Sequence, residues 1–321
     1  MKFATFEDGA RIPKLGLVHS GQRLQDLTGD GRDPDFSSLQ ALIEAGQRGL
    51  DKAHDAAQKP GDLMNVADVR LLAPLPRPQQ IRDFMCFETH VRQSIRSIVR
   101  LRAMAAGEDP ERALETAEAA GQLEVPAIWY ERPVYYKANR FAVGHPGDTV
   151  TWPVYSRLMD YECELACIIG QGGRDIRKDD ARDHIFGYTI FNDLSARDAQ
   201  SAEMGGQLGP AKGKDFDKAN IFGPWVVTAD EFDPAQGHAM RVFVNGAQRS
   251  EGNSKDMHWG FADLIAYVSQ SESLHPGEIL GSGTVGNGCG LELMRFLENG
   301  DEITLEIDGI GRLTNRVEMA V

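Results

Sequence analysis

Two glutamates one residue apart, Glu162 and Glu164, interrupt the otherwise apolar run "DYECELACII". On a β-strand successive side chains alternate faces, so Asp160, Glu162 and Glu164 share one side. Tyr161, Cys163, Leu165, Cys167 and Ile169 line the other. Neighbouring carboxylates raise each other's cost of ionisation, and a buried one needs a cation to stay charged. The acidic face continues with Ala166 and Ile168, so it turns apolar at once. Two same-face carboxylates suit a hard divalent cation, and no His or Cys spacing nearby suggests zinc. For the pair alone, a half-exposed strand with its acids in water is an equal alternative.

Four further segments carry residue types able to do chemistry. In "FNDLSARDAQ", Asp193 ends an apolar strand, and Arg197, Asp198 and Gln200 follow on one helical turn. In isolation Asp193 reads as the N-cap of that turn. In "LGPAKGKDFDKANIFGPWVV", Lys214 lies in a Gly/Pro-bounded loop, where Gly213 permits close backbone approach to a ligand. A loop lysine is by default solvated. In "RDFMCFETH", His90 is a candidate general base with Asp83 seven residues earlier, although a lone histidine is more often structural. The glycines of "GSGTVGNGCGLEL" would let backbone amides line an oxyanion site. Their spacing is neither a phosphate-loop nor a dinucleotide fingerprint.

The elements that must position these groups are mostly strands. The opening "MKFATFEDGARIPKLGLVHSGQRLQDL" reads as short strands and turns, and Leu39, Leu42, Ile43 and Leu50 mark a helix that stops at "KPGD". The Pro-rich "LLAPLPRPQQ" marks a boundary between a small N-terminal domain (1–73) and the remainder (74–321). After His90 comes a helical region. Arg92, Arg96 and Arg100 form an i,i+4 stripe, favoured as a solvated face because nearby acids balance it. A second helix there has Asp109 as N-cap, Pro110 in its first turn and Gly121 at its C-terminal end. From Ile128 onward strands and turns dominate, with helical pattern returning at "HWGFADLIAYVSQSE". Alternating βαβ units are lacking, so the fold class is α+β, mainly β.

Composition bounds the function. The 321 residues carry 34 basic and 48 acidic side chains, a formal net charge of -14 that disfavours broad contact with nucleic acid. No apolar stretch approaches the roughly 20 residues of a membrane span. The N-terminus does not read as a signal peptide, and Cys86, Cys163, Cys167 and Cys289 form no CxxC pair. The expectation is a cytoplasmic globular protein with buried free thiols.

From about Pro74 to the C-terminus, roughly three quarters of the chain, the ordered segments resemble the fumarylacetoacetate hydrolase family. The specific set is "ECE", then "FNDLSARDAQ", "LGPAKGK" and "GPWVV", with "NGDEITLEIDGIGRLTNRV" resembling the family's terminal strands. The resemblance implies a mixed β-sandwich roll with a helical insertion, about residues 91–121, which is expected to act as a lid because it directly follows His90. It implies a divalent cation (Mg²⁺, Mn²⁺ or Ca²⁺) held by Glu162, Glu164 and Asp193, with Asp83 as an additional ligand. Asp160 is left outside that set, and Cys163 points into the core.

Lys214 and Gln200 match residues that polarise a developing oxyanion. Arg197, Tyr136 and Thr284 match substrate contacts, and His90 matches the histidine that activates water. Smaller members place a glutamate three residues after that histidine, where this chain has Gln93. Members nearer to true fumarylacetoacetate hydrolases use a distant glutamate, which here is Glu292. The implied activity is metal-dependent hydrolysis of a C–C bond in a small 1,3-diketo acid, passing through an enolate that the metal stabilises, by a homodimer. Decarboxylation of a β-keto acid, hydration or isomerisation on the same scaffold are the alternatives, and a non-catalytic metal-binding protein is a further one.

Overall fold

A computed structural model describes residues 1–29 and 31–320. Its helices are α1 (Leu39–Gln58), α2 (Glu88–Ala106), α3 (Pro110–Ala119), α4 (Ala127–Glu131), α5 (Arg197–Met204), α6 (Phe261–Val268) and α7 (Gly290–Leu293). Strands outnumber helices and carry most of the buried framework, so the chain is α+β and mainly β. Among the described residues, no helix is long and apolar enough to cross a membrane.

A 12-stranded sheet runs through the molecule. Its central path orders Lys2–Glu7, Asn220–Thr228, Ile185–Asp193, Cys163–Ile169, Ile279–Gly281, Ile81–Phe84 and Tyr135–Ala138 as neighbours. The N-terminal strands belong to this sheet, because Lys2 and Phe3 pair antiparallel with Val227 and Val226. A five-stranded sheet orders Ala247–Asn253, Ala239–Val244, Glu302–Ile307, Gly311–Met319 and Thr149–Trp152.

The period-2 alternation of the Cys163–Ile169 strand explains how it serves two cores at once. Cys163, Leu165, Cys167 and Ile169 join the core that also holds Met240, Val242, Leu305 and Val317 of the five-stranded sheet. Ala166 and Ile168, on the other face, join a core roofed by Leu39, Leu42 and Ile43 of α1. A strand buried on both faces reads as a continuous apolar run, so its one acidic member, Glu164, stands out.

Helices α2 and α3 form a hairpin that starts beside the central sheet. The Asp109 carboxylate accepts from the amides of Glu111 and Arg112, Pro110 occupies the first turn, and Gly121 follows the helix at φ 68°. The arginine stripe is balanced by acids: Arg92 pairs with Glu88, Arg96 with Glu118 and Arg100 with Glu111. All four cysteines are free and buried.

Candidate metal centre and active site

Sheet register brings three carboxylates together from strands far apart in sequence. Asp193 closes the Ile185–Asp193 strand, and Glu164 lies on the adjacent strand, opposite Phe191. Asp83 lies on the Ile81–Phe84 strand, opposite Gly281 of the short strand between them. A Cβ on Gly281 would stand 2.4 Å from Asp83 Oδ1 and 3.1 Å from Glu164 Oε2. Glycine there is what leaves room for the carboxylates to converge.

One oxygen from each of Asp83, Glu164 and Asp193 lies within 4.8 Å of the others, and all three residues are buried. Asp83 Oδ1, Glu164 Oε1 and Asp193 Oδ1 have no hydrogen-bond partner. Their second oxygens include anchored ones. Glu164 Oε2 accepts from the Gly283 amide at 3.0 Å, and Asp193 Oδ2 accepts from the Tyr136 hydroxyl at 2.9 Å. Burial drives the Asp83 carboxyl up to about 6. Burial, reinforced by Asp83, Asp193 and Glu162, pushes Glu164 well above the usual carboxylate range. Burial does the same to Asp193, against the attraction of Lys214. A buried, crowded carboxylate trio with orphaned oxygens has the donor chemistry of a hard divalent cation.

Two of the protein's own cations reach this region. Lys214, buried in the loop after α5, donates to Glu162 Oε2 and to Asp193 Oδ2. Arg197, in the first turn of α5, donates to Asp160 Oδ2 and Glu162 Oε1 at 2.7 Å each, and to Gln200 Oε1 at 2.9 Å. Both Glu162 oxygens are therefore held by cations, which outweigh burial and keep its carboxyl well below the usual range. Glu162 stands beside the convergent trio, and its charge is felt by all three members.

The second functional group is a histidine–carboxylate pair. His90 is buried in the first turn of α2, with Nδ1 3.4 Å from Glu292 Oε2. Glu292, on α7, accepts from the Asn287 amide at 3.0 Å, the Cys289 amide at 3.2 Å and Cys289 Sγ at 3.3 Å. Asp160 sets the position of α7, accepting from the Gly290 amide at 2.7 Å and the Leu291 amide at 2.9 Å. Gly290 is required there, since a Cβ would stand 2.5 Å from Asp160 Oδ1.

Three local readings of the sequence change. Asp193 does not cap α5: the N-cap is Ala196, without a side-chain bond, and the Asp193 carboxylate is claimed by Tyr136 and Lys214. Gly213 makes a close approach to protein, with the Gln200 backbone filling the space of a Cβ. The amides of Gly283, Asn287, Cys289, Gly290 and Leu291 bind the carboxylates of Glu164, Glu292 and Asp160, so the glycine-rich segment fixes acids and these amides form no oxyanion pocket. Thr284 in that segment is buried with an unpartnered hydroxyl. Asp160 is the residue that sequence reasoning set aside. Its place one step before Glu162 and Glu164 on the same alternation was the available signal.

A mainly β sandwich with convergent buried carboxylates and a histidine–carboxylate pair defines a metal-assisted enzyme class acting on small molecules. The chain belongs to the fumarylacetoacetate hydrolase family, since residues 107–318 match the family model described as fumarylacetoacetate (FAA) hydrolase C-terminal. Asp83 and His90 precede the matched stretch. The chain is 30% identical over 331 residues to oxaloacetate tautomerase YisK of Bacillus subtilis (strain 168), covering 99% of this chain and 100% of that one. A mitochondrial oxaloacetate tautomerase of Xenopus laevis is 29% identical, over 95% of this chain and 86% of its own. Among solved structures, a fumarylacetoacetate hydrolase from Exiguobacterium antarcticum superposes with a TM-score of 0.75 at 28% identity, covering both chains fully. Maleylpyruvate hydrolase from Sphingobium sp. SYK-6, in complex with manganese(II) and pyruvate, superposes at 0.73 and 26% identity, also over both full chains.

Proposed function

We propose that this protein is a divalent-metal-dependent enzyme that hydrolyses a C–C bond in a small 2-oxo acid carrying a second carbonyl, a 1,3-diketo acid. The observation that carries the reading is the pairing of an orphaned carboxylate trio with a buried His90–Glu292 pair. The trio's all-oxygen donors fit Mg²⁺, Mn²⁺ or Ca²⁺ better than zinc, and Asp83, Glu164 and Asp193 would hold the ion with Glu162 beside them. When bound, the ion would act as a Lewis acid, drawing charge from the substrate's oxygens.

The chain's own groups divide the remaining work. Glu292 faces His90 Nδ1, and Nε2, with the Ser94 hydroxyl 3.5 Å away, is the atom that takes the proton from water. The water oxygen then attacks the carbonyl carbon. Lys214, an ammonium kept protonated by Asp193 and Glu162 despite burial, donates to the oxyanion that develops. Gln200 accepts from Arg197 through Oε1, which turns its amide NH₂ toward donation. Arg197 is occupied by Asp160, Glu162 and Gln200, so its task is to hold those three in place. Tyr136 likewise orients Asp193, and Thr284 offers its unpartnered hydroxyl to substrate. Collapse of the tetrahedral adduct breaks the C–C bond, and the carbanion leaves as an enolate that is protonated on carbon.

A second reading, keto–enol tautomerisation of a 2-oxo dicarboxylic acid, is supported by the names of two relatives aligned over nearly the whole chain. His90 Nε2 would then carry a proton between carbon and oxygen, with no water consumed. Turnover of acylpyruvates and oxaloacetate with Mg²⁺ in ¹⁸O-water separates the two. Hydrolysis places ¹⁸O in the carboxylate of the released acyl fragment. Interconversion of enol and ketone without fragments would replace the hydrolytic reading by the tautomerase one.

A further inference from the structure

We infer that His90, Cys289 and Glu292 form a sulfur-containing metal site, suited to zinc, that switches the enzyme off by taking His90 Nδ1 and the carboxylate that orients the base. The inhibitory consequence rests on the assignment of His90 and Glu292 as the base pair; the metal site itself does not. One potential ligand atom from each of the three residues lies within 4.8 Å of the others. Cys289 Sγ is 3.3 Å from Glu292 Oε2, and His90 Nδ1 is 3.4 Å from that same oxygen. Tetrahedral zinc with bonds of roughly 2.0–2.3 Å places neighbouring ligand atoms about 3.3–3.8 Å apart. Two of the three edges therefore already have the length that zinc requires.

The independent observation is His90 itself. The residue is 7% exposed, and its Nδ1 has no hydrogen-bond partner although it faces Glu292. An imidazole nitrogen, a thiol and one carboxylate make a softer donor set than the three carboxylates of the neighbouring cluster, so the two sites would sort cations by ligand type. Cys289 is fixed on the same segment as Glu292, through the bridge between Glu162 and Cys289 and the capping of α7. On binding, the Cys289 S–H bond breaks, its proton passes to solvent, and a zinc–sulfur bond forms. Zinc on Nδ1 and Glu292 removes the carboxylate that orients His90 and lowers the basicity of the ring.

The test uses the full-length protein saturated with Mg²⁺, titrated with Co²⁺ as a spectroscopic probe and with Zn²⁺ as the inhibitor. Co²⁺ should give a near-ultraviolet sulfur-to-metal charge-transfer band that Cys289→Ser abolishes and His90→Asn weakens. Losing a direct ligand should cost more than the roughly 10–100-fold typical of losing an outer-shell partner, so the inhibitory Zn²⁺ concentration should rise by at least that factor in Cys289→Ser. Each variant is compared with itself, with and without Zn²⁺. No band in the parent protein, or a band that survives Cys289→Ser, overturns the site. A Cys289-dependent band with Zn²⁺ inhibition unchanged in Cys289→Ser overturns the switch. If no 2-oxo acid is turned over under Mg²⁺, the proposed activity fails while the cobalt band still decides the site.

Discussion

The Tyr136 hydroxyl donates to Asp193 Oδ2 at 2.9 Å, and Lys214 reaches the same oxygen, while Asp193 Oδ1 is left without a partner. One carboxylate thus has one oxygen held by the protein and the other presented to the Asp83–Glu164 cluster. Replacing Tyr136 by Phe removes a single hydrogen bond to a carboxylate proposed as a metal ligand. The expected result is a 10–100-fold weaker affinity for Mn²⁺, measured by calorimetric titration, with the fold retained.

Glu292→Gln keeps the shape of the side chain and removes the charge opposite His90 Nδ1. Loss of an oriented general base should lower kcat by about 10²-fold or more with KM little changed. A change confined to KM would mean that Glu292 serves binding and not proton transfer.

Gly290→Ala tests how α7 is anchored. Its Cβ would lie 2.5 Å from both Asp160 Oδ1 and the Arg295 carbonyl oxygen. Overpacking of this kind costs about 1–3 kcal/mol, so denaturant unfolding should shift accordingly and kcat should fall as Glu292 moves. Parent-like stability would show that the segment yields easily.

The carboxylate cluster makes stability depend on pH with a definite sign. Burial raises Asp83 from 3.8 to about 6, and raises Glu164 and Asp193 well above their usual range. A raised acid binds more protons in the folded than in the unfolded chain. The contribution of these groups therefore falls as pH rises through that window. A bound divalent cation replaces those protons, so its stabilising effect must grow with pH. Thermal unfolding with and without Mg²⁺ should show a small gain in Tm near about pH 5 and a larger one near about pH 7. A gain that shrinks with rising pH would contradict the assignment.

What the sequence disclosed followed how local each signal was. The alternation around Glu162 and Glu164 separated two faces, and the structure sends those faces to two different cores. The acids opposing Arg92, Arg96 and Arg100 lie within the same helical hairpin, so the balance of the stripe was readable. Asp193 looked like a helix cap because its competing partners lie 57 and 21 residues away, at Tyr136 and Lys214. Asp160 looked idle for the same reason, since its partners Arg197, Gly290 and Leu291 are brought to it only by the fold. The room for Asp83 depends on a glycine, Gly281, on an intervening strand, which pattern reading along one strand does not reveal.

Asp83, Glu164 and Asp193 are proposed as the hard-metal centre. This assignment is tested most directly by Mn²⁺ binding to the metal-stripped protein, followed by electron paramagnetic resonance, in the parent chain and in Asp83→Asn/Glu164→Gln. One tightly bound Mn²⁺ per chain is expected in the parent, with a loss of affinity beyond about 100-fold in the double variant. Parent-like Mn²⁺ binding by the double variant would contradict it.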